Sequence, residues 1–412
     1  MSLNNKNARI ITNKPFMLLL FSQGISNFGD AFQAVAATML LVKITGSGLA
    51  ASYALICTPL ASLFLSPIAG VLGDIFSGKR ILIIIDILRG IIVMLFTINC
   101  NVGVIYILIF LLNSLDILYN PARNKVITSV VDSKDLIVAS SLQSGVFGAA
   151  FIFGTLIAGI GVGVWGLNMA FTVNSLSFFT SAMIIIFVKC KKSYVSCYGK
   201  LSIYGIWVDI KESFCYSLKF QRIAELLEIG FVMSLAITSI NITFYSFAFD
   251  TLGITSKGWS IMLSILYGTN LVAMFVSMIF ARKTKKTKVA NTYLFIFAVS
   301  VIWLLYSVLN DLHSIIMLQL IEGTALSLLW ILLGSFLLIE TKKGFVGRVT
   351  ACNDFLCNVG KLISIPFTYM FLKIFRVQFL FVINSFILIA FLAYRLVILL
   401  VRKRHSNRLF SN

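Results

Sequence analysis

Histidines and acids are scarce in this chain. Its 412 residues include two histidines (His313 and His405) and 15 aspartates and glutamates, against 34 lysines and arginines. No set of Cys, His, Asp or Glu has the spacing of zinc ligands. The seven cysteines are odd in number and scattered, so they frame neither a metal site nor a disulfide scaffold. No G-x-x-x-x-G-K-S/T loop is present to cradle a nucleotide phosphate, which argues against ATP hydrolysis by this chain. The expectation is a non-enzyme with no cofactor, no catalytic residues and no metal. Charge of either sign is thin, at 12% of residues. A soluble protein is excluded by what replaces it: 59% hydrophobic residues and a mean hydropathy of +0.98 would force apolar side chains over the whole surface.

What is present is a series of apolar runs, each long enough to cross a hydrocarbon layer ~30 Å thick as a helix. Twelve are read, at 16–42, 50–73, 81–99, 104–120, 139–161, 168–188, 223–247, 258–281, 290–309, 314–338, 349–372 and 379–401. The short polar tail before the first run reads as the lead of an uncleaved helix. A net charge of +19 could point to nucleic acid, but the basic residues sit in short loops between apolar runs. If the N-terminus is cytoplasmic, 27 of the 34 basic residues fall on the cytoplasmic side. Four, Lys43, Lys257, Lys373 and Arg376, fall outside. That bias places both termini and the long basic loop from Lys189 to Arg222 in the cytoplasm.

The long loop follows six runs and precedes six more. The expected architecture is therefore an all-α membrane protein of twelve transmembrane helices in two pseudo-symmetric six-helix bundles, residues 1–188 and 223–412, joined by a cytoplasmic linker, 189–222. Internal repetition of this kind is expected of a secondary transporter with its site near the bilayer midplane. A channel or a membrane enzyme does not require it.

Charges inside apolar runs are costly and mark functional candidates. Asp30 lies about 14 residues into the first run, roughly 20 Å along a helix that rises 1.5 Å per residue, hence near the midplane. Gln23, Asn27 and Asp30 follow at i, i+4 and i+7 and so share one helix face, which needs a wet cavity or a polar partner. A structural aspartate held by a neighbouring helix is the bland reading; proton coupling is the sharper one. Glu322 in the tenth run is a cavity or substrate candidate from the second half. Asp86 and Arg89 form an i, i+3 couple in the third run, and with Asp74, Lys79 and Arg80 they compose a candidate gate network. Asp116 and Asn113 read as structural, beside a turn at Pro121 that ends the fourth run. Arg395 reads as a side chain snorkelling to the interface. Lys361 has no evident partner. The glycines of the fifth run and its exit, from Gly145 to Gly163, read as a close-packed helix interface.

The stretch from Gly70 to Arg80 resembles the gating loop of the major facilitator superfamily, G-x-L-x-D-R-x-G-R-R/K. Gly70, Leu72, Asp74 and Lys79 fall on its positions, whereas Ile75, Ser77 and Gly78 depart from it. QGISNFGD in the first run, DILR, YNPARNKV and VGRV together resemble the drug:proton antiporter branch that includes macrolide efflux proteins. Similar stretches occur in the lysophospholipid transporter of Gram-negative bacteria. Phe151 stands where that superfamily's antiporters carry a Gly-Pro element. The resemblance implies a monomeric cell-membrane transporter, bacterial in type, that exports amphipathic or hydrophobic small molecules in exchange for protons. The alternatives are a lysophospholipid flippase and a non-transporting scaffold or sensor.

Overall fold

The computed structural model describes residues 10, 12–98, 101–132, 135–190, 219–283, 290–309, 311–342 and 345–409. Most of the Lys189–Arg222 loop lies outside them. Every regular element among the described residues is helical. Among the described residues twelve helices have 17 residues or more: α1 Lys14–Thr45, α2 Cys57–Ile75, α3 Gly78–Met94, α4 Val102–Val130, α5 Leu136–Trp165, α6 Leu167–Ile186, α7 Gln221–Ser246, α8 Ser256–Lys283, α9 Ala290–Tyr306, α10 Leu312–Glu340, α11 Val346–Ile374 and α12 Val377–Leu409. Short polar side chains start several of them by accepting from orphan backbone N–H groups. Asn13 accepts from Phe16 (3.2 Å), Asn101 from Gly103 (2.9 Å) and Asp311 from Ser314 (2.8 Å).

Nine helices among the described residues have the length and composition to span a membrane. The other three are α3, α8 and α9. In α3 the reason is plain: it has 17 residues and contains Lys79, Arg80, Asp86 and Arg89.

One boundary corrects the sequence reading. Pro121 does not end the fourth helix, because α4 runs through it to Val130. Proline removes one backbone donor and bars the preceding turn from ideal packing. Membrane helices tolerate it where neighbouring groups satisfy the freed carbonyl. The YNPAR stretch is therefore helix, and the residues after it continue the face of those before it.

The chain falls into two units, Met1–Lys211 with Ala248–Leu271, and Glu212–Phe247 with Val272–Asn412. Within the first, α1 packs on α5 and α6, α3 packs on α4 and α6, and α2 packs on α4. Asp250 belongs to this unit by accepting the Gly48 N–H at 2.6 Å. Within the second, α7 packs on α11 and α12, and α9 packs on α10 and α12. These pairings repeat those of the first unit shifted by six helices.

The repeat reaches individual side chains. Phe171, Asn174 and Ser175 recur 210 positions later as Phe381, Asn384 and Ser385. Ser175 Oγ donates to the Gly90 carbonyl of α3 (2.8 Å), and Ser385 Oγ donates to the Ser300 carbonyl of α9 (2.6 Å). Phe171 packs on Phe96 at 5.1 Å between ring centroids, and Phe381 packs on Tyr306 at 5.6 Å.

The glycines of α5 are used unevenly. A Cβ at Gly154 would stand 2.7 Å from Ala31 Cβ and 2.8 Å from the Phe28 carbonyl oxygen, so this residue sets the approach of α5 to α1. Gly145, by contrast, meets nothing within 4 Å. Phe151 packs against Tyr267 with centroids 3.9 Å apart.

Candidate functional site

A cavity of about 280 Å³ opens among α1, α3, α4 and α5 of the first unit. Helix α1 contributes the face read from the sequence, with Gln23, Asn27 and Asp30 all lining it. Gln23 accepts from the Gln143 amide of α5 at 2.9 Å, and Asn27 donates to the Gln23 backbone carbonyl at 2.8 Å. Asn174 of α6 lies beside Asp30, and its amide donates to Gln33 at 3.3 Å. That approach depends on Gly29, where a Cβ would lie 2.5 Å from Asn174 Oδ1. Among the described residues no cation lies within ion-pairing distance of Asp30, although Arg89, Asp86 and Asp116 all act on it electrostatically.

The opposite wall belongs to α3 and α4. Arg89 is 4% exposed and Asp86 fully buried, 3.7 Å apart, and Arg89 makes a closer ion pair with Asp116. Ser181 of α6 donates to Asp86 at 2.7 Å, and the Arg89 guanidinium lies 4.4 Å from the Tyr119 ring centroid. The Asp116 side chain is 56% accessible, and it lines the cavity. Asn120 and Arg123 continue the same wall of α4. The Arg123 guanidinium sits 5.6 Å from the Phe147 ring of α5, and its Nε is buried with no hydrogen-bond partner. No carboxylate lies within 4 Å of Arg123 among the described residues.

Asp86, Arg89 and Asp116 thus join Asp30 at one site. The sequence grouped the first two with the hairpin and treated the third as structural. Three carboxyl groups and two guanidinium groups carry a formal charge of −1 when all are ionised. Of these, only Asp86 and Arg89 are withdrawn from solvent; the partly accessible Asp30, Asp116 and Arg123 leave room for a proton, water or a ligand to offset the imbalance.

The remaining gate candidates have other surroundings. Lys79 donates to the carbonyls of Ile186 (2.7 Å) and Val188 (2.9 Å), satisfying the open end of α6. Arg80 is exposed. Gly70 and Asp74 fall on α2, but their side chains lie outside the described residues. Lys361 donates to Asn358 at 3.3 Å.

In the second unit, Glu322 is buried and accepts from Trp303 Nε1 (2.5 Å) and Tyr306 OH (2.7 Å), both on α9. Tyr306 belongs to an aromatic group with Phe244 and Phe381. Arg395 does not snorkel. It is buried and pairs with Glu225 and Glu228 of α7, each at 2.8 Å, while its Nε donates to Tyr293 at 3.2 Å. Glu225 and Glu228 are one turn apart, which places both before a single guanidinium. Replacing Arg395 by Met is expected to lower unfolding stability by about 2 kcal/mol, less than the ~3–5 kcal/mol of a fully buried broken pair, because Glu228 is 36% exposed. Thermal unfolding in detergent, compared with an Arg395→Lys control, measures this loss; an unchanged midpoint would mean that the cluster does not hold α12 to α7.

Residues 10–353 match the family described as transmembrane secretion effectors. The chain belongs to this family of major facilitator transporters. Two related proteins of Bacillus subtilis (strain 168) are described as uncharacterized MFS-type transporters. YfiS is 27% identical over 176 residues, 42% of each chain, and YkuC is 23% identical over 227 residues, 53% of each. The chain therefore spans about half the length of the curated relatives it matches.

Solved structures share the fold along nearly the whole length. The nucleoside transporter NupG superposes with a TM-score of 0.68 at 13% identity, covering 92% of this chain and 98% of that one. The peptide transporter PepTSo gives 0.69 at 11%, covering 95% and 98%. A bacterial homologue of the iron transporter ferroportin gives 0.67 at 12%, covering 95% and 100%. For this member of the transmembrane secretion effectors, the fold and the family are those of membrane transporters. The cavity of the first unit is its candidate site.

The sequence reading missed Arg123, Asn174, Ser181 and the Glu225–Glu228 pair. Arg123 had a signal. Asp116, Tyr119, Asn120 and Arg123 follow at i, i+3, i+4 and i+7, one face of a helix, once α4 is carried past Pro121. Asn174 and Ser181 had none, being single polar residues in an apolar run.

Proposed function

We propose that this protein is a secondary transporter that moves amphipathic small molecules out of the cell in exchange for protons by alternating access, with Asp30 as the coupling group. One observation carries the reading: a cavity lined by two acids, Asp30 and Asp116, and two guanidiniums, in which Asp30 is the acid without an ion-pair partner among the described residues. Arg89 is engaged by Asp86 and Asp116, so it gives Asp30 no close ion pair. A carboxyl group in contact with water favours its ion, and one deprived of water favours its neutral form. A cavity that exchanges its access to water therefore loads and unloads a proton. A substrate that brings positive charge to Asp30 displaces that proton.

The twelve long helices act as twelve spans in this reading, six in each half. The 27-to-4 distribution of basic residues supports cytoplasmic termini and a cytoplasmic central loop. Phosphatase fusions at residue 200 and at the C-terminus are expected to be inactive; activity at either would overturn the orientation.

A second reading, lysophospholipid movement on the same fold, is favoured by the unengaged Arg123 beside Phe147, which suits a charged head on an apolar body. Proteoliposomes separate the two. Proton-driven extrusion of a cationic dye supports drug export, and gradient-independent movement of labelled lysolipid supports the second reading. Failure of both returns a scaffold or sensor.

A further inference from the structure

Asp30 and Arg123 line the same cavity, and neither has an ion-pair partner within 4 Å among the described residues. They are opposite in charge and do not bridge to each other. Such an arrangement is expensive in a poorly solvated site unless water or a ligand serves both groups. Among the described residues the two buried arginines are matched: Arg89 by Asp86 and Asp116, and Arg395 by Glu225 and Glu228. Glu322 is met by two neutral donors, and the described pocket does not include it.

The unmatched pair is flanked by neutral hydrogen-bonding groups, Asn27 and Asn120, with Phe147 beside the guanidinium. The volume, about 280 Å³, is at the lower edge of the ~300–1,000 Å³ usual for small-molecule sites, so it fits a small molecule or the head of a longer one.

We infer that the substrate is a zwitterion, with a carboxylate or phosphate held at Arg123 and an ammonium group turned to Asp30. Arg123 is the suited anion partner because its planar guanidinium offers paired donors to an oxyanion. The ammonium replaces the proton on Asp30, so the inference rests on the exchange reading above and adds the chemistry of the cargo. A purely cationic drug leaves Arg123 unmatched, and a purely anionic one leaves the site more negative.

Equilibrium binding to the purified full-length protein in neutral nanodiscs tests this without requiring transport. The probes are n-octylphosphocholine (zwitterion with tail), glycerophosphocholine (zwitterion without tail), octyl phosphate and octyltrimethylammonium. Wild-type protein is expected to bind octylphosphocholine at least about tenfold more tightly than either singly charged octyl probe. Arg123→Gln removes its advantage over the cation, and Arg123→Lys retains part of it. Asp30→Asn removes its advantage over the anion. Glycerophosphocholine binding as tightly as its octyl relative assigns the site to a free zwitterion, and weaker binding assigns it to the head of an amphiphile.

Preference for octyltrimethylammonium in wild type, or an unaltered preference in Arg123→Gln protein of normal thermal stability, would overturn the inference. The exchange reading would survive that result, because it depends on gradient-driven transport. Conversely, zwitterion selectivity in a protein that shows no proton-driven flux would overturn exchange and keep the site.

Discussion

Asp30→Asn is expected to abolish gradient-driven transport while the protein remains folded and inserted. Asparagine keeps the size of the aspartate and the position it offers to Asn174, but it can neither release a proton nor carry charge. The exchange cycle then loses the step at which a proton is traded for substrate. Accumulation in proteoliposomes with an imposed proton gradient is expected to fall to the level of empty vesicles. Equilibration down a substrate gradient persists, because the cavity still exists, and its dependence on pH flattens. Asp86 and Asp116 are the other acids at this site, but both are committed to Arg89. Wild-type accumulation in the Asp30→Asn protein would remove the coupling assignment and turn attention to Glu322.

Arg89→Gln is expected to have the largest effect on stability. Arg89 is nearly inaccessible and stands between two carboxyl groups, one of them fully buried. Removing one partner of a buried pair strands the other charge, at a cost of about 3–5 kcal/mol in most measured cases. The lower end applies here, since the Asp116 side chain retains contact with the cavity. The double variant Arg89→Gln, Asp86→Asn removes both the cation and the most buried anion, so it recovers at least half of the loss. Transport does not return with it. Unfolding measured on the two single variants and the double variant gives the coupling directly. Additive losses would mean that Asp86 and Arg89 act independently, and the charge-cluster description of the site would fail.

How much of this was legible beforehand varies from residue to residue. The face of α1 was fully readable, because Gln23, Asn27 and Asp30 obey the helical period in an otherwise apolar run. The all-helical membrane fold followed from hydropathy alone. The wall opposite Asp30 was hidden by one inference, that Pro121 ends a helix. Carrying α4 through the proline brings Asn120 and Arg123 into register with Asp116.

Asp86 and Arg89 were visible as an intramembrane couple, yet their partner Asp116 lies on another helix, and nothing in local spacing joins α3 to α4. Arg395 was misplaced for a similar reason. Near the end of a helix, snorkelling and burial give the same sequence, and only the tertiary approach of Glu225 and Glu228 separates them. The six-plus-six division was readable from the position of the long basic loop, but the recurrence of Phe, Asn and Ser in α6 and α12 stood out only once the equivalent helix contacts were seen.

The central claim is that substrate movement is driven by a proton gradient through the Asp30 cavity. Its most direct measurement is substrate accumulation in proteoliposomes carrying the wild-type protein, with an imposed pH gradient and then with that gradient collapsed by a protonophore. Accumulation above the external concentration that vanishes on collapse is the predicted result. Accumulation unaffected by collapse, or none under either condition with a substrate shown to bind, would contradict it.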